Sequence, residues 1–133
     1  MTKEEKDLLF IDLSARMPHG VMLLEDLDKT FDGGAIGVLH TITFIKDEPH
    51  VLTKHSLTPM SLEEVRPYLR PFEDMSEEEK RTCGIISCEG NIEHKYGIFY
   101  RCQDYLNSRH IDYRGLISKG LALTAPKDMY KFD

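Results

Sequence analysis

An α+β fold is what this sequence predicts: a small, mainly antiparallel sheet packed by an N-terminal and a C-terminal helix, with a partly closed barrel as the alternative. Three observations carry that prediction. Between Val21 and His55, apolar segments of strand length follow one another through turn-forming residues, with no stretch long enough for the crossover helix that parallel strands require. Thr2 and Glu5 have the spacing of a capping box and so open a helix at the start of the chain. Near the other end, Tyr105 to Leu123 (YLNSRHIDYRGLISKGLAL) reads as the exit of an amphipathic helix, a compact aromatic and cationic turn, and a last apolar segment.

The first helix is apolar around much of its middle, at Leu8, Leu9, Phe10, Ile11, Leu13, Ala15 and Met17, and is expected to be well buried. Pro18 and Gly20 end it, because the residue before proline avoids the helical region and glycine suits a helix exit. Val21 to Leu24 has the aliphatic content of a short strand. Asp28 to Gly34 (DKTFDGG) has the chemistry of a tight reversal, which makes a hairpin. From Ala35 to Lys46, Ile36, Val38, His40, Ile42 and Phe44 or Ile45 alternate with small or polar residues, which predicts one covered face. Pro49 interrupts, and after a turn at Lys46 to Pro49 a third strand runs from Val51 to His55.

Ser61 with Glu64 caps a short helical turn. Pro67 and Pro71 then hold Arg66 and Arg70 extended, so PYLRPF is expected to cross the surface as an ordered strap anchored by Tyr68, Leu69 and Phe72. Ser76 with Glu79 repeats the capping box, and Glu77, Glu78 and Glu79 suit the positive end of a helix dipole. Gly84 to Ser87 reads as a short buried strand and Gly90-Asn91 as a turn. Glu93 to Asn107 is the last substantial helix, with Tyr96, Phe99, Tyr100, Cys102 and Leu106 at helical spacing. At its exit Asn107, Ser108, His110 and Asp112 supply hydrogen-bonding side chains, while Gly115 and Gly120 allow backbone conformations that other residues resist.

A chain of 133 residues with 41% apolar content fits one domain, able to build a core without metals or disulfides. No run nears the roughly 20 apolar residues of a membrane span, and the charged start MTKEEKDLLF is unlike a signal peptide. The expectation is a cytoplasmic protein with no membrane partner. Three cysteines, Cys83, Cys88 and Cys102, are an odd count that suits a reducing compartment. Of 23 acids and 17 bases, residues 91–133 hold 5 and 7, leaving 18 and 10 for residues 1–90, so a net charge of −6 hides a basic C-terminal third. Nonspecific nucleic-acid binding is disfavoured by the overall sign, and Arg101, Arg109, Arg114 and Lys119 read first as a solvated helix face.

No pattern is a recognisable catalytic signature. His110 near Asp112, with Cys102 upstream, lacks the spacing and the glycine-rich turn of a thiol nucleophile; a core cysteine and a structural histidine bound to backbone are preferred. Cys83, Cys88, His94 and Cys102 are four potential zinc ligands, but His94 and Cys102 are too far apart to form the second close pair of a structural site. His40, His50 and His55 lie in or beside strands, as half-buried hydrogen-bonding residues do. DGGAIG lacks a P-loop lysine and the full dinucleotide pattern. Tyr100, Tyr105, Tyr113, Arg101, Arg109 and Arg114 offer rings and cations for single-stranded nucleic acid, with core packing preferred for the tyrosines.

The segments YLRPFEDMSEEEK and LNSRHIDYRGLISKGLAL, with ARMPHG at the end of the first helix, resemble parts of a family of small uncharacterised bacterial proteins often encoded by prophages and other mobile elements. The central strands from Gly33 to His55 carry no such likeness. The resemblance implies no activity or catalytic residue; it implies a compact intracellular accessory protein. The residues themselves point to a noncatalytic module that binds another protein through Tyr105, Arg109, His110, Asp112, Tyr113 and Arg114, since tyrosine and arginine are enriched at binding hot spots. No cofactor and no metal are expected. The competing class is an enzyme or nucleic-acid-processing factor using His110 and Asp112, helped by Cys102 or a bound metal.

Overall fold

The computed structural model describes residues 1–25, 35–54, 56, 58–83 and 95–132, with the side chains of 95–101 left aside. The fold is α+β. Helix α1 (Lys3–Arg16) is followed by strands β1 (Met22–Glu25), β2 (Ala35–Ile45), β3 (Glu48–Thr53), β4 (Met60–Ser61) and β5 (Val65–Leu69), then helices α2 (Glu77–Thr82) and α3 (Lys95–Ser108), and strand β6 (Leu123–Thr124). The strands lie in the order β4-β3-β2-β1-β5-β6, antiparallel except for the parallel pair β5 and β6. Among the described residues the sheet is open and not a barrel. Both of its edge strands have two residues, so they cover only part of the outer sides of β3 and β5.

The capping box at Thr2 forms with both reciprocal bonds, 3.1 Å from the Glu5 amide to Thr2 Oγ1 and 2.9 Å from the Thr2 amide to Glu5 Oε1. Helix α1 is buried along one stripe, not around its middle: Leu9, Asp12, Leu13 and Arg16 are covered, while Ile11 is more than half exposed. Residues at i, i+3, i+4 and i+7 share one side of a helix, so Ile11 must point away. Burial of Leu9 and Leu13 contributes about 1.5–3 kcal/mol each. The helix gives way to a turn at Met17–His19, and Gly20 sits at φ 72°, where a glycine costs least.

Strand β2 departs from simple alternation. Leu39 pairs with Thr53 but Thr41 pairs with Leu52, so one residue is extra on β2 and the inward parity switches at His40. Leu39 and then Ile42 therefore reach the core, not the even-numbered set throughout. Gly37 lies upstream, and a Cβ there would stand 2.8 Å from the Thr53 Cβ, so only glycine fits without movement. The hairpin to β3 is closed by two residues, Lys46 and Asp47, both at positive φ, 53° and 65°. That is the primed geometry whose twist matches the strands. Pro49 thus lies within β3 instead of interrupting it. It pairs with Phe44 near the hairpin end, beyond the reach of β4, which bonds only at His50 and Val51, so no ladder is broken by its missing N–H.

The expected surface strap is β5, an interior strand between β1 and β6, with Val65, Pro67 and Leu69 buried. Pro67 and Pro71 suggested a strap because each holds the residue before it extended, and extended backbone suits a strand equally. Here β6 pairs only with Tyr68 and Leu69, so one side of β5 is open over Val65 to Pro67. The main core joins Leu9 and Leu13 of α1 to Leu23, Leu39, Val51, Val65 and Leu69 of the sheet and to Leu116, Leu121 and Ala122. A second cluster of Met75, Cys83, Leu106 and Ile111 packs α2 against α3. The reversal expected at Asp28 to Gly34, the strand at Gly84 to Ser87, the turn at Gly90-Asn91, and His55, Cys88 and His94 lie outside the described residues. No helix among the described residues is long and apolar enough to cross a membrane.

Candidate functional site

The C-terminal turn is zipped to the end of β5. The Arg70 amide donates to the His110 carbonyl at 2.7 Å and the Asp112 amide to the Arg70 carbonyl at 2.9 Å. His110 takes φ 58°, a left-handed conformation that reverses the chain after α3. The six expected binding residues are thereby split: His110 and Asp112 are buried in the middle, and the two tyrosine and arginine pairs fall into separate ionic clusters on either side.

Asp112 is a structural acceptor. Its two carboxylate oxygens take the amides of Leu116 and Ile117 at 2.8 and 2.9 Å, holding a turn in which Gly115 and Gly120 have φ 74° and 75°. His110 is held neutral: burial first, then the positive charges of Arg16, His19 and Arg70, push its pKa from 6.5 down to about 3. Its Nδ1 is buried without a hydrogen-bond partner among the described residues. The imidazole lies on the ring of Tyr130, with centroids 3.9 Å apart.

On one side sits Asp12 of α1, fully buried between two guanidinium groups. Arg16 Nε donates to Asp12 Oδ2 at 2.9 Å and Arg114 Nη1 to Asp12 Oδ1 at 2.6 Å. Arg16 has 0% exposure, and its Nη2 also donates to the Ile111 carbonyl at 2.6 Å, tying the first helix to the last turn. Both guanidinium groups lie over the Tyr113 ring, 5.5 Å away for Arg16 and 4.4 Å for Arg114, and the Tyr113 hydroxyl donates to Asn107 Oδ1. Sequence reasoning missed Asp12 and Arg16. The available signal was an acid and a base four residues apart inside an otherwise apolar helical run.

On the other side Arg70 grips Glu79 with two bonds, Nη1 to Oε2 at 2.7 Å and Nη2 to Oε1 at 2.8 Å. The same Glu79 completes the Ser76 capping box and lies 3.7 Å from Arg109 Nε. Hydrogen bonds from Arg70 hold its carboxyl well below the usual range, at about 2. Glu79 is thus more than part of a dipole-favouring acid run. Arg109 lies 5.4 Å over the Tyr105 ring and 4.4 Å over that of Phe132, which is 38% exposed. Neither Arg109 nor Arg114 is on a merely solvated helix face; the side chain of Arg101 lies outside the described residues.

The cysteine and histidine candidates are accounted for locally. Cys102 Sγ donates to the Cys83 carbonyl at 3.0 Å, and burial together with the Cys102 thiol pushes Cys83 up to about 12. His40 Nδ1 meets Thr41 Oγ1 and His50 Nδ1 the Glu48 carbonyl. Among the described residues no three His, Cys, Asp or Glu side chains are grouped as metal ligands would be. A cleft of about 490 Å³ opens beside Arg70, between Asp74 and residues 125–132. The chain matches no protein family, no curated protein and no solved structure.

Proposed function

We propose that the chain is a noncatalytic protein-interaction module, docking a partner segment with acidic and apolar side chains against the face formed by Tyr105, Arg109 and Phe132. The observation carrying this reading is a pair of guanidinium groups gathered on one carboxylate beside a half-buried and an exposed aromatic ring. Arg70 and Arg109 both meet the Glu79 carboxylate, with Asp74 a further acid near Arg70. Arg16 and Arg114 share Asp12 in the same way, next to Tyr113. A planar cation between two rings is pre-organised for a carboxylate and an apolar group together. The commitment of both Asp112 oxygens to backbone and the burial of neutral His110 weigh against acid–base chemistry at this turn. In keeping with the resemblance to proteins of prophages and mobile elements, the partner is a host or phage component met in the cytoplasm.

A photoreactive amino acid in place of the exposed Asp104, beside this face, tests the reading in cells. The expected result is an adduct with one identifiable protein, lost on Arg109→Ala and kept on Lys46→Ala at the distant hairpin. An adduct indifferent to Arg109→Ala contradicts it, and stoichiometric metal in the purified protein with turnover of a small molecule favours the enzyme instead.

A further inference from the structure

We propose that the slot holding Tyr130 is this module's recognition groove, filled in the free chain by its own C-terminal arm (residues 125–132), which a partner segment with a tyrosine and, two residues later, a second aromatic side chain displaces. The proposal rests on the interaction reading above and names its partner class and its regulation: Phe132 covers Arg109 in the free chain, and the partner's second aromatic ring takes its place there when the arm leaves.

The slot is built for one hydroxylated ring. The Met22 amide donates to Tyr130 Oη at 2.8 Å, and that hydroxyl donates to the Tyr68 carbonyl at 2.7 Å. The β1–β5 register runs from Glu25 to Leu23, and at the next rung a phenol stands between the strands instead of a direct bond. The ring stacks on His110, and two residues on Phe132 lies under Arg109 and 5.2 Å from Arg70. A donor, an acceptor, a flat neutral ring and two cations thus converge on a tyrosine-x-aromatic pattern.

The arm is held by side chains and not by a backbone ladder. Its last backbone bond to the body among the described residues is the Ala125 amide to the Leu69 carbonyl at 2.8 Å; the next, Met129 to Pro126, is internal. Pro126, Lys127, Asp128 and Lys131 are exposed, so beyond Ala125 the side chains of Tyr130 and Phe132 fix the arm. Such a segment opens without unfolding the sheet. Opening gives the Met22 amide and Tyr68 carbonyl to water, and exchange for another tyrosine restores the same two bonds. The cleft beside Arg70 gives an incoming segment room to enter. A tethered arm competes at high effective concentration, so it sets a threshold that only a matching partner passes.

The test is fluorescence anisotropy with a labelled peptide of the arm sequence APKDMYKF and the full-length protein. Tyr130→Ala protein is expected to bind it about tenfold or more tighter than wild type, because the slot is no longer filled from within. A peptide with alanine in place of tyrosine is expected not to bind. Equal affinity for the two proteins, or no binding to a folded Tyr130→Ala protein, overturns the proposal. Amide exchange in the wild type gives a second measurement that needs no variant: Met22 should exchange about tenfold faster than Leu39, whose amide bonds to the Val21 carbonyl. Equal protection overturns the proposal, because the arm then opens only with the whole fold. Neither assay contains a partner, so their failure leaves the cross-linking result at Asp104 standing, and the reverse also holds.

Discussion

Asp12 shows how much a single carboxylate decides in this protein. It is buried between Arg16, itself without exposure, and Arg114, so removing it leaves one guanidinium stranded in the core. Asp12→Ala should destabilise the fold by about 3–5 kcal/mol in urea titrations, whereas Asp12→Leu with Arg16→Met, which removes acid and buried base together, should cost less than Asp12→Ala alone. A double variant as unstable as the single would mean that the ion pair itself, and not the stranded charge, sets the cost. The residue scale is also where the sequence was least legible. Thr2, Gly20, Gly115 and Gly120 announce their roles through local backbone needs, and the structure uses each as read. Arg16, Arg70 and Arg114 do not, since their partners lie 4, 9 and 102 residues away and a charged side chain reads as solvated until its neighbours are known.

Elements whose signals are local were readable, and those defined by pairing were not. The capping boxes at Thr2 and Ser76, the hairpin strands and the last helix follow from short-range patterns, whereas the cap read at Ser61 with Glu64 does not form, since Ser61 makes no side-chain bond to the turn at Leu62–Glu64. The β2 bulge depends on register with β3, and the interior position of β5 depends on how far β6 extends, so neither is written in the segment itself. At this scale α2 offers a clean comparison, because Ser76 serves only its cap while Glu79 serves the cap and Arg70 together. Ser76→Ala should cost about 1 kcal/mol and Glu79→Ala about 3 kcal/mol in denaturant unfolding. Equal costs would show that the Arg70 chelate contributes nothing beyond the cap.

Helix α1, strand β5, the C-terminal turn and the arm all meet at His110, which makes the stability of the whole molecule sensitive to acid. In the unfolded chain the histidine binds a proton below about 6.5, and in the folded one only below about 3, so between those values the unfolded state holds more protons and stability falls as pH falls. Glu79, lowered from 4.5 to about 2, adds loss in the same direction over the lower window. The slope from His110 is at most about 1.4 kcal/mol per pH unit. His110→Asn, which tolerates the left-handed backbone, should flatten it between pH 6 and 5 in stability curves measured at each pH. The sequence marked this turn as the place where the fold closes and as the candidate site. A structural, hydrogen-bonding role for His110 and Asp112 at the helix exit was legible there; their burial, and the capture of Arg109 and Arg114 in ion pairs with Glu79 and Asp12, were not, because both depend on the arm, α2 and the first helix arriving from other parts of the chain. The most direct measurement is a nitrogen-15 NMR titration of the His110 ring. The account predicts a neutral ring from about pH 8 down to about pH 4.5. A ring that titrates near pH 6.5, as a solvent-reached acid or base would, contradicts it.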